Sequence, residues 1–365
     1  MGLYAQPPAG YLQLNCEIMN LASRQSDFIM PAEWEAHSAT WMAWPNDDDY
    51  FEDRMKNIEK IYLKIISALH KGEMVKLLVL DEKVETKVKA LMTSADIDLS
   101  KIVFYQTEYV DVWIRDYGPT FIKNKNEKAW VKWHYSGYNK FPELLADNKV
   151  FLNFKNKINF KMFDASNISL EGGAIETNGM GTFLTTEECL IENRHLGTKE
   201  EVNSILNKFL GATNVIWLNK GLMNDHTDGH VDDIVRFVTP SKILCAYEDD
   251  PKDENYERLL ENFKILENAL NQDGEKFEII KLPMPHMYFA DGNKNHSNTK
   301  APVSYANFYI GNNVVLVPTF NDPNDEKALT IIKSCFPDRE VIGIDCRDLI
   351  YGGGAIHCIT QQEPA

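Results

Sequence analysis

The segment Asp225–Asp233 places two histidines and four aspartates within nine residues. If residues 230–238 form a strand, His230 and Asp232 point to the same face, because side chains alternate along a strand. An imidazole beside a carboxylate suits a general acid/base whose charge is supported by its neighbour. Histidine and aspartate also bind metals, although the spacing fits no short zinc motif. The residue types therefore leave catalysis, a metal site and a structural network open.

A glycine run, Gly352–Gly354, lies shortly before Cys358. A free cysteine is usually a small buried hydrophobe, so the thiol alone indicates little. Glycines let the backbone approach closely, and amide donors that face a sulfur favour thiolate over thiol. The run therefore predicts that Cys358 is an activated nucleophile.

Two further polar clusters lie beside turn signals. The segment Asp111–Pro119 combines two aspartates, an arginine and Trp113 with a Gly-Pro turn. It indicates either an acid presented to a cation, with Trp113 as a packing wall, or a buried Arg–Asp pair with a core tryptophan. Glu171 precedes Gly172-Gly173, which would permit close approach of the backbone to a ligand, although a simple turn explains the pattern too.

The elements between these clusters must position them, and they alternate in type. Hydrophobic periodicity predicts helices over 51–71, 82–93, 198–209, 255–271 and 325–335. Short apolar runs predict strands over 75–80, 101–106, 277–282 and 341–345, and a hairpin within 307–320 that turns at Gly311-Asn312-Asn313. No linker marks a boundary. We therefore predict one α/β or α+β domain with mixed sheets over 29–365, preceded by an arm or partly disordered N-terminal extension, 1–28.

The charge balance limits the class of partner. The chain has 38 basic and 54 acidic residues, for a net charge of −16. This excess argues against nucleic acid, whose phosphates need a basic surface. It is compatible with attraction of a small cation, although solubility alone also accounts for it.

The cysteines and the N-terminus indicate the compartment. Six cysteines are scattered without a CxxC pair or disulfide-like spacing, which is typical of free thiols in a reducing compartment. The N-terminus lacks the basic and apolar regions of a secretory signal, and no run approaches the roughly 20 apolar residues of a membrane span. We therefore expect a cytoplasmic protein that does not bind membranes.

Taken in chain order, the motifs resemble those of the agmatine deiminase (agmatine iminohydrolase) family of guanidine-modifying, pentein-fold enzymes. The motifs are MPAEWEAH (30–37), TWMAWP (40–45), WIRDYGP (113–119), LEGG (170–173), LTTEECL (184–190), TDGHVD (227–232), SYANFYI (304–310), PTFNDPND (318–325) and GGGAIHCITQQE (352–363). So many ordered matches are very improbable by chance. The resemblance implies a five-bladed α/β propeller with pseudo-fivefold repeats and a site in its central channel.

The resemblance also implies a role for each matched residue. Cys358 matches the nucleophile and His230 the general acid/base. Asp116 and Asp232 match carboxylates that hold the guanidinium nitrogens, and Glu171 matches a further acid near His230. Trp113 matches a pocket-lining residue, and Asp228 is expected to contribute to substrate binding. The resemblance implies neither a metal nor a cofactor. It does imply a homodimer.

The reaction that the resemblance implies is hydrolysis of agmatine to N-carbamoylputrescine and ammonia, a step of putrescine biosynthesis, through a thiouronium intermediate on Cys358. Two positions depart from the family pattern: His226 replaces an acid that would hold the distal amine, and Ala355 replaces an asparagine. The alternatives are free arginine, with Arg194 or Arg236 as partner of its carboxylate, peptidyl-arginine, amidinotransfer, and a non-catalytic pentein module.

Overall fold

The protein is described by a computed structural model that covers residues 27–46, 51–289 and 299–365. The predicted extension, 1–28, lies outside these residues except for Asp27 and Phe28. The helices that carry the fold are α1 (Met55–Leu69), α2 (Glu82–Ser94), α3 (Ile114–Tyr117), α4 (Val150–Asn153), α5 (Lys199–Leu210), α6 (Tyr256–Asn268) and α7 (Asp325–Cys335).

The strands of the described residues form five small sheets. They are β1 (His37–Ala43), β2 (Met74–Val79), β3 (Ile102–Gln106), β4 (Thr120–Lys123), β5 (Lys128–His134), β6 (Lys161–Ser169), β7 (Glu176–Thr177), β8 (Thr182–Thr186), β9 (Asn214–Leu218), β10 (Val235–Thr239), β11 (Lys242–Tyr247), β12 (Glu278–Pro283), β13 (Tyr309–Ile310), β14 (Val314–Thr319), β15 (Glu340–Asp345) and β16 (Gln361–Pro364). The sheet orders are β16-β1-β2-β3, β4-β5-β6, β7-β8-β9, β10-β11-β12 and β13-β14-β15.

Every one of these sheets starts with an antiparallel pair and continues with a parallel pair. Parallel neighbours need a long crossover, usually a helix. Helices α1, α5, α6 and α7 connect the parallel pairs β1–β2, β8–β9, β11–β12 and β14–β15. The predicted α/β class with mixed sheets is therefore confirmed. The same strand order recurs from sheet to sheet, although the amino-acid sequence shows no matching repeat.

The helices and strands predicted from periodicity are confirmed, and their ends agree with the structure to within four residues. The predicted hairpin is confirmed by the pairing of Ile310 with Val315. Helix α1 shows why periodicity succeeds, because its apolar stripe is its buried face. None of the helices in the described ranges is long and apolar enough to cross a membrane.

The strand predicted from residue 230 onward is wrong at its start. His230 precedes a 3₁₀ turn, Val231–Asp233, and β10 begins only at Val235. The turn directs His230 and both of the following aspartates into buried polar contacts. A strand would divide these side chains between opposite faces of the sheet.

The last strand of the described chain pairs with the first. β16 runs antiparallel to β1, with Trp41 opposite Gln361 and His37 opposite Pro364. The Glu363 carboxylate accepts a hydrogen bond from Trp41 Nε1 at 2.9 Å and contacts Lys76 Nζ at 2.6 Å. The residues that directly follow Cys358 are therefore held in the same sheet as residues 37–43.

Candidate active site

The polar clusters occupy equivalent places in the five sheets. Each lies a few residues before the first strand of a sheet: Asp116 before β4, Glu171 before β7, His230 and Asp232 before β10, Asn307 before β13 and Cys358 before β16. Loops beside rigid strands are where catalytic groups are commonly placed. The repeated strand order therefore presents one polar segment from every sheet.

Gly173 shows how closely these segments converge. Its backbone N–H donates to Asp116 Oδ1 at 2.9 Å. A Cβ atom added to Gly173 would lie 2.5 Å from His230 Nδ1, 3.0 Å from Asp116 Oδ1 and 3.1 Å from Asp232 Oδ2. Glycine is required here because any side chain would overlap these groups. The backbone at Gly173 thus approaches polar side chains of the protein, and the close approach to a ligand considered for Gly172-Gly173 stays a prediction.

His230 is fully buried between two carboxylates. Its Nδ1 lies 3.8 Å from Asp116 Oδ1 and its Nε2 lies 3.8 Å from Glu171 Oε2. These contacts are longer than hydrogen bonds, so the attraction is electrostatic, and neither ring nitrogen has a hydrogen-bond partner in the described part of the chain. Burial alone would lower the pKa of His230, but Asp116, Cys189 and Glu171 together hold it well above its ordinary value. The ring is thus set to carry a proton that it can donate.

Glu171 is held ionised by Arg194. Arg194 Nε donates to both carboxylate oxygens, at 2.9 and 3.0 Å, and both side chains are fully buried. Although burial opposes ionisation, Arg194 and His230 lower the pKa of Glu171 to about 2. Arg194 also donates to the Thr227 carbonyl at 2.8 Å, which ties Glu171 to the His230 segment.

Asp116 is fixed at both oxygens. Oδ1 accepts from Gly173, and Oδ2 accepts from the Tyr138 hydroxyl at 2.8 Å. Burial and the neighbouring Asp232 and Glu171 carboxylates raise the pKa of Asp116 although His230 lowers it. A cation placed against Asp116 would relieve this repulsion between carboxylates.

Asp232 has one occupied and one unoccupied oxygen. Oδ2 faces His357 Nδ1 at 2.6 Å, whereas Oδ1 is buried and has no hydrogen-bond partner in the described residues. Burial would raise the pKa of Asp232, but the hydrogen bond and charge of His357 hold it below its ordinary value. A buried, ionised oxygen without a donor is suited to accept an N–H from a cationic ligand.

Cys358 is buried, with 5% of its surface exposed, and is held by Asn307. Asn307 Nδ2 lies 3.2 Å from Cys358 Sγ and 2.9 Å from Asp233 Oδ1. Burial and the charges of Asp232, Asp233 and Asp116 raise the pKa of Cys358 well above its ordinary value, and the backbone at Ala355 lowers it only in part. The backbone at Ala355 thus acts on the thiol in the direction expected of the glycine run, but burial and the acids outweigh it.

The glycine run instead makes room for two rings. A Cβ atom on Gly354 would lie 2.8 Å from the Trp113 ring and 3.1 Å from Cys358 Sγ. Gly353 has a φ of +96°, and its Cβ would lie 1.7 Å from His226 Cε1. Trp113 therefore lies near the thiol, and His226 packs on the loop that carries it. The role of Trp113 in lining the pocket stays a prediction.

Asp228 is not placed with the other predicted acids. Its Oδ1 contacts Lys140 Nζ at 2.6 Å, and its Oδ2 lies 3.8 Å from Arg194 NH1. Two cations thus already accompany this carboxylate. Its predicted role in substrate binding stays a prediction.

The buried Arg–Asp pair considered for the cluster Asp111–Pro119 is not formed, whereas the presentation of an acid to a cation stays a prediction. Arg115 is buried but does not pair with a neighbouring aspartate. It donates from NH1 to Gln361 and Gln362 at 2.7 Å each, and from its backbone N–H to the Cys358 carbonyl at 3.1 Å. Arg115 therefore supports the loop of the nucleophile, while Asp116 enters the site.

Several site residues were missed by the sequence analysis. They are Asn307 on the thiol, Tyr138 on Asp116, His357 on Asp232, Glu33 on His357 and Cys189 near His230. Asn307 and His357 stand inside motifs that were recognised, and the position of His357 next to Cys358 was a usable signal. Nothing in the residue pattern indicates Tyr138 as a partner of Asp116.

Two groups of side chains among the described residues have the donors of a metal site. They are Glu171, Cys189 and His230, and Glu248, Asp253 and His286. In the first group Arg194 already neutralises Glu171, and in the second Lys300 bonds to Asp253. The metal site that was considered for the Asp225–Asp233 segment stays untested, since His230 belongs to the first group and His226 to neither.

Comparisons with known proteins agree with this geometry. A family model described as Porphyromonas-type peptidyl-arginine deiminase matches residues 29–364. An agmatine deiminase from Pseudomonas syringae pv. syringae (strain B728a) is 34% identical over 373 aligned residues, covering 95% of this chain and 98% of that protein. The structure of an Enterococcus faecalis agmatine deiminase has a TM-score of 0.85 at 28% identity and covers 93% of this chain and 97% of its own. A C. jejuni agmatine deiminase has a TM-score of 0.79 at 25% identity, with 93% and 96% covered.

Proposed function

We propose that this chain, which belongs to the Porphyromonas-type peptidyl-arginine deiminase family, is an agmatine deiminase. It hydrolyses agmatine to N-carbamoylputrescine and ammonia, a step that leads towards putrescine. The observation that carries the proposal is the convergence of Asp116, His230 and Asp232 around Gly173, with Cys358 beside Asp232. The similar proteins named agmatine deiminase support the choice of substrate.

The two aspartates form the binding site for the guanidinium. A guanidinium is planar and cationic, and its paired N–H groups match carboxylate oxygens. Asp232 offers the buried Oδ1 that lacks a donor, and Asp116 stands across Gly173. Held in this way, the central carbon of the substrate can lie within attack distance of Cys358 Sγ.

Substrate binding also prepares the nucleophile. The charges of Asp232 and Asp116 contribute to the raised pKa of Cys358. A bound guanidinium neutralises both charges, so the thiol can release its proton to solvent once the substrate is in place. The thiolate is thus formed when its target is present.

The reaction then proceeds in two halves. The thiolate attacks the guanidinium carbon, and the protonated His230 gives its proton to the departing nitrogen, so that ammonia leaves and a thiouronium remains on Cys358. Neutral His230 next takes a proton from water, which attacks the same carbon. The C–S bond breaks, the hydroxyl proton of the adduct passes to the departing sulfur, and the ureido product leaves the restored thiol.

The alternatives are less well supported by the site. For free arginine, the two candidate partners of the carboxylate are already engaged: Arg194 with Glu171, and Arg236 with Glu33 at 2.8 Å and Glu176 at 3.2 Å. A non-catalytic module would be expected to lack the thiol, the histidine and the acids, and this chain has them all. Amidinotransfer differs only in using an amine instead of water to resolve the intermediate.

The wider predictions also have support in the fold. Five sheets with one strand order, each preceded by a site residue, are what a five-bladed α/β propeller with a central site would contain. We propose this arrangement, with 29–365 as one catalytic domain. Location in the cytoplasm and a homodimer remain predictions.

A substrate panel tests the proposed function. Purified protein is incubated with agmatine, free arginine and a blocked arginine peptide, and ammonia release is measured. We expect agmatine to be turned over fastest, and Cys358→Ala to abolish release while the far-UV circular dichroism spectrum is unchanged. Turnover of arginine without turnover of agmatine would overturn the substrate, and activity in Cys358→Ala would overturn the covalent scheme.

A further inference from the structure

His357 directly precedes the nucleophile and lies between two buried carboxylates. Its Nδ1 is 2.6 Å from Asp232 Oδ2, and its Nε2 is 2.8 Å from Glu33 Oε2. His357 is 1% exposed, Asp232 0% and Glu33 4%. Each ring nitrogen of His357 therefore faces a carboxylate oxygen at hydrogen-bonding distance.

The far end of this chain of contacts is fixed by the protein. Glu33 Oε1 accepts from the Ile310 backbone N–H at 2.8 Å and lies 2.8 Å from Arg236 NH2. Arg236 and His357, with Arg115, keep the pKa of Glu33 well below its ordinary value although burial would raise it. Glu33 is therefore a stationary anion against which the imidazole is aligned.

The contact between His357 and Asp232 determines which Asp232 oxygen stays available to a ligand. His357 occupies Oδ2, and Oδ1 is left buried without a hydrogen-bond partner in the described residues. A carboxylate that is held at one oxygen cannot rotate freely about its last bond. At metal sites, groups that orient a ligating residue through such a contact change affinity by about 10- to 100-fold, and the same geometric reasoning applies to a carboxylate that binds a cation.

We propose that His357 is a positioning residue, which fixes the Asp232 carboxylate so that Oδ1 receives a guanidinium N–H. The inference rests on the proposed function, since it takes Asp232 as a substrate-binding group. It adds a residue that does not itself touch the substrate. A purely structural role, in which His357 only neutralises two buried acids, is the competing explanation.

Two substitutions separate these roles. In His357→Asn the amide nitrogen takes approximately the place of Nδ1, so the bond to Asp232 is kept and the bond to Glu33 is lost. In His357→Gln the longer side chain takes its amide nitrogen towards the place of Nε2, so the bond to Glu33 is kept and Asp232 Oδ2 loses its donor. Both variants are uncharged and lose one buried hydrogen bond, which makes them matched controls for stability.

Steady-state kinetics with agmatine gives the first readout. Losing a hydrogen bond to a charged group corresponds to a change of roughly 10- to 100-fold. We therefore expect His357→Gln to raise KM at least 10-fold relative to His357→Asn, with similar thermal unfolding midpoints for the two variants. Equal kinetic losses in both variants would overturn the positioning role and favour the structural one.

Binding of methylguanidine gives a readout that does not depend on agmatine turnover. Each variant is combined with Cys358→Ala, and affinity is measured by titration calorimetry. We expect weaker binding in the His357→Gln background than in the His357→Asn background. If the unmodified protein fails to act on agmatine while this difference persists, the proposed substrate is wrong and the role of His357 stands. Equal affinities in the two backgrounds would overturn the role of His357.

Discussion

At Cys358, burial and three nearby aspartates act on the thiol in the same direction. Each disfavours the negative charge of a thiolate, and Asp232 is the strongest of the three acids. The same acids attract a guanidinium. One set of charges therefore both suppresses the nucleophile and recruits the ligand that releases it, which protects the thiol from other electrophiles.

This coupling predicts opposite effects of one substitution on two reactions. Asp232→Asn removes the charge that raises the pKa of Cys358, so alkylation of Cys358 by iodoacetamide at pH 8 should become faster, about tenfold for each pKa unit. Ammonia release from agmatine should fall by at least 100-fold, because the guanidinium loses a charged partner. Mass spectrometry of the Cys358 peptide measures the first effect and a coupled ammonia assay the second.

An exposed acid provides the control. Glu278→Gln removes a charge from the surface, where Glu278 pairs with Lys242 at 3.0 Å, and should change neither rate. Slower alkylation in Asp232→Asn would contradict the electrostatic account of the thiol.

Residue types singled out the segments that hold the acids and the histidine, and the family resemblance implied their roles, but neither gave the sign of the effect on Cys358. A glycine run indicates close approach, yet the sequence does not say what approaches. The structure shows Trp113 and His226 in that space, and acids rather than amides controlling the thiol. Long-range neighbours of this kind, including Asn307, depend on how distant segments meet, which is not encoded in local spacing.

At the scale of elements, two turns each require a glycine, but for different physical reasons. Gly173 lies in a 3₁₀ turn, has no need of a left-handed conformation, and faces the side chains of Asp116, His230 and Asp232. Gly274 has a φ of +80° and nothing within 4 Å of an added Cβ atom. The first needs glycine for space, and the second needs it for its backbone conformation.

These requirements predict that one alanine variant loses activity and that the other loses stability. Gly173→Ala should lower kcat for agmatine at least 100-fold, because the new methyl group displaces His230 or a carboxylate, with only a modest change in unfolding midpoint. Gly274→Ala should leave kcat unchanged and reduce the free energy of unfolding by about 1 kcal/mol. Kinetics and urea denaturation of both variants check the pattern, and normal activity in Gly173→Ala would show that the turn is not part of the site.

The elements themselves were largely predictable, because amphipathic helices such as α1 and short apolar strands such as β2 follow local periodicity. The exception, the 3₁₀ turn Val231–Asp233, is where polar burial overrides the local pattern. The fivefold repetition of the strand order could not be read from the residues, since backbone pairing can be kept while side chains diverge.

For the whole molecule, the buried Glu171–Arg194 pair links stability to pH. The pKa of Glu171 is lowered from 4.5 to about 2. A depressed carboxylate pKa adds stability that is present above 4.5 and is lost as pH falls towards 2. The shift corresponds to roughly 3 kcal/mol when complete.

We therefore expect the difference in unfolding free energy between the unmodified protein and Glu171→Gln to be largest above pH 4.5. Below this pH the difference should shrink, because protonation of Glu171 makes the two proteins alike. Urea denaturation at several pH values measures this difference in unfolding free energy. Glu278→Gln is the exposed control, and its unfolding free energy should differ little from that of the unmodified protein at any pH. A difference that grows on acidification would contradict the ion-pair origin of the effect.

The pairing of β16 with β1 has a consequence for the time course of synthesis. Chains are made from the N-terminus, so Asp116, Glu171 and His230 leave the ribosome well before Cys358. The loop of the nucleophile can be anchored only after residues 361–364 have emerged and joined β1. A growing chain therefore carries the two proposed guanidinium-binding acids, Asp116 and Asp232, before Cys358 is anchored, and we expect activity only after β16 has paired with β1.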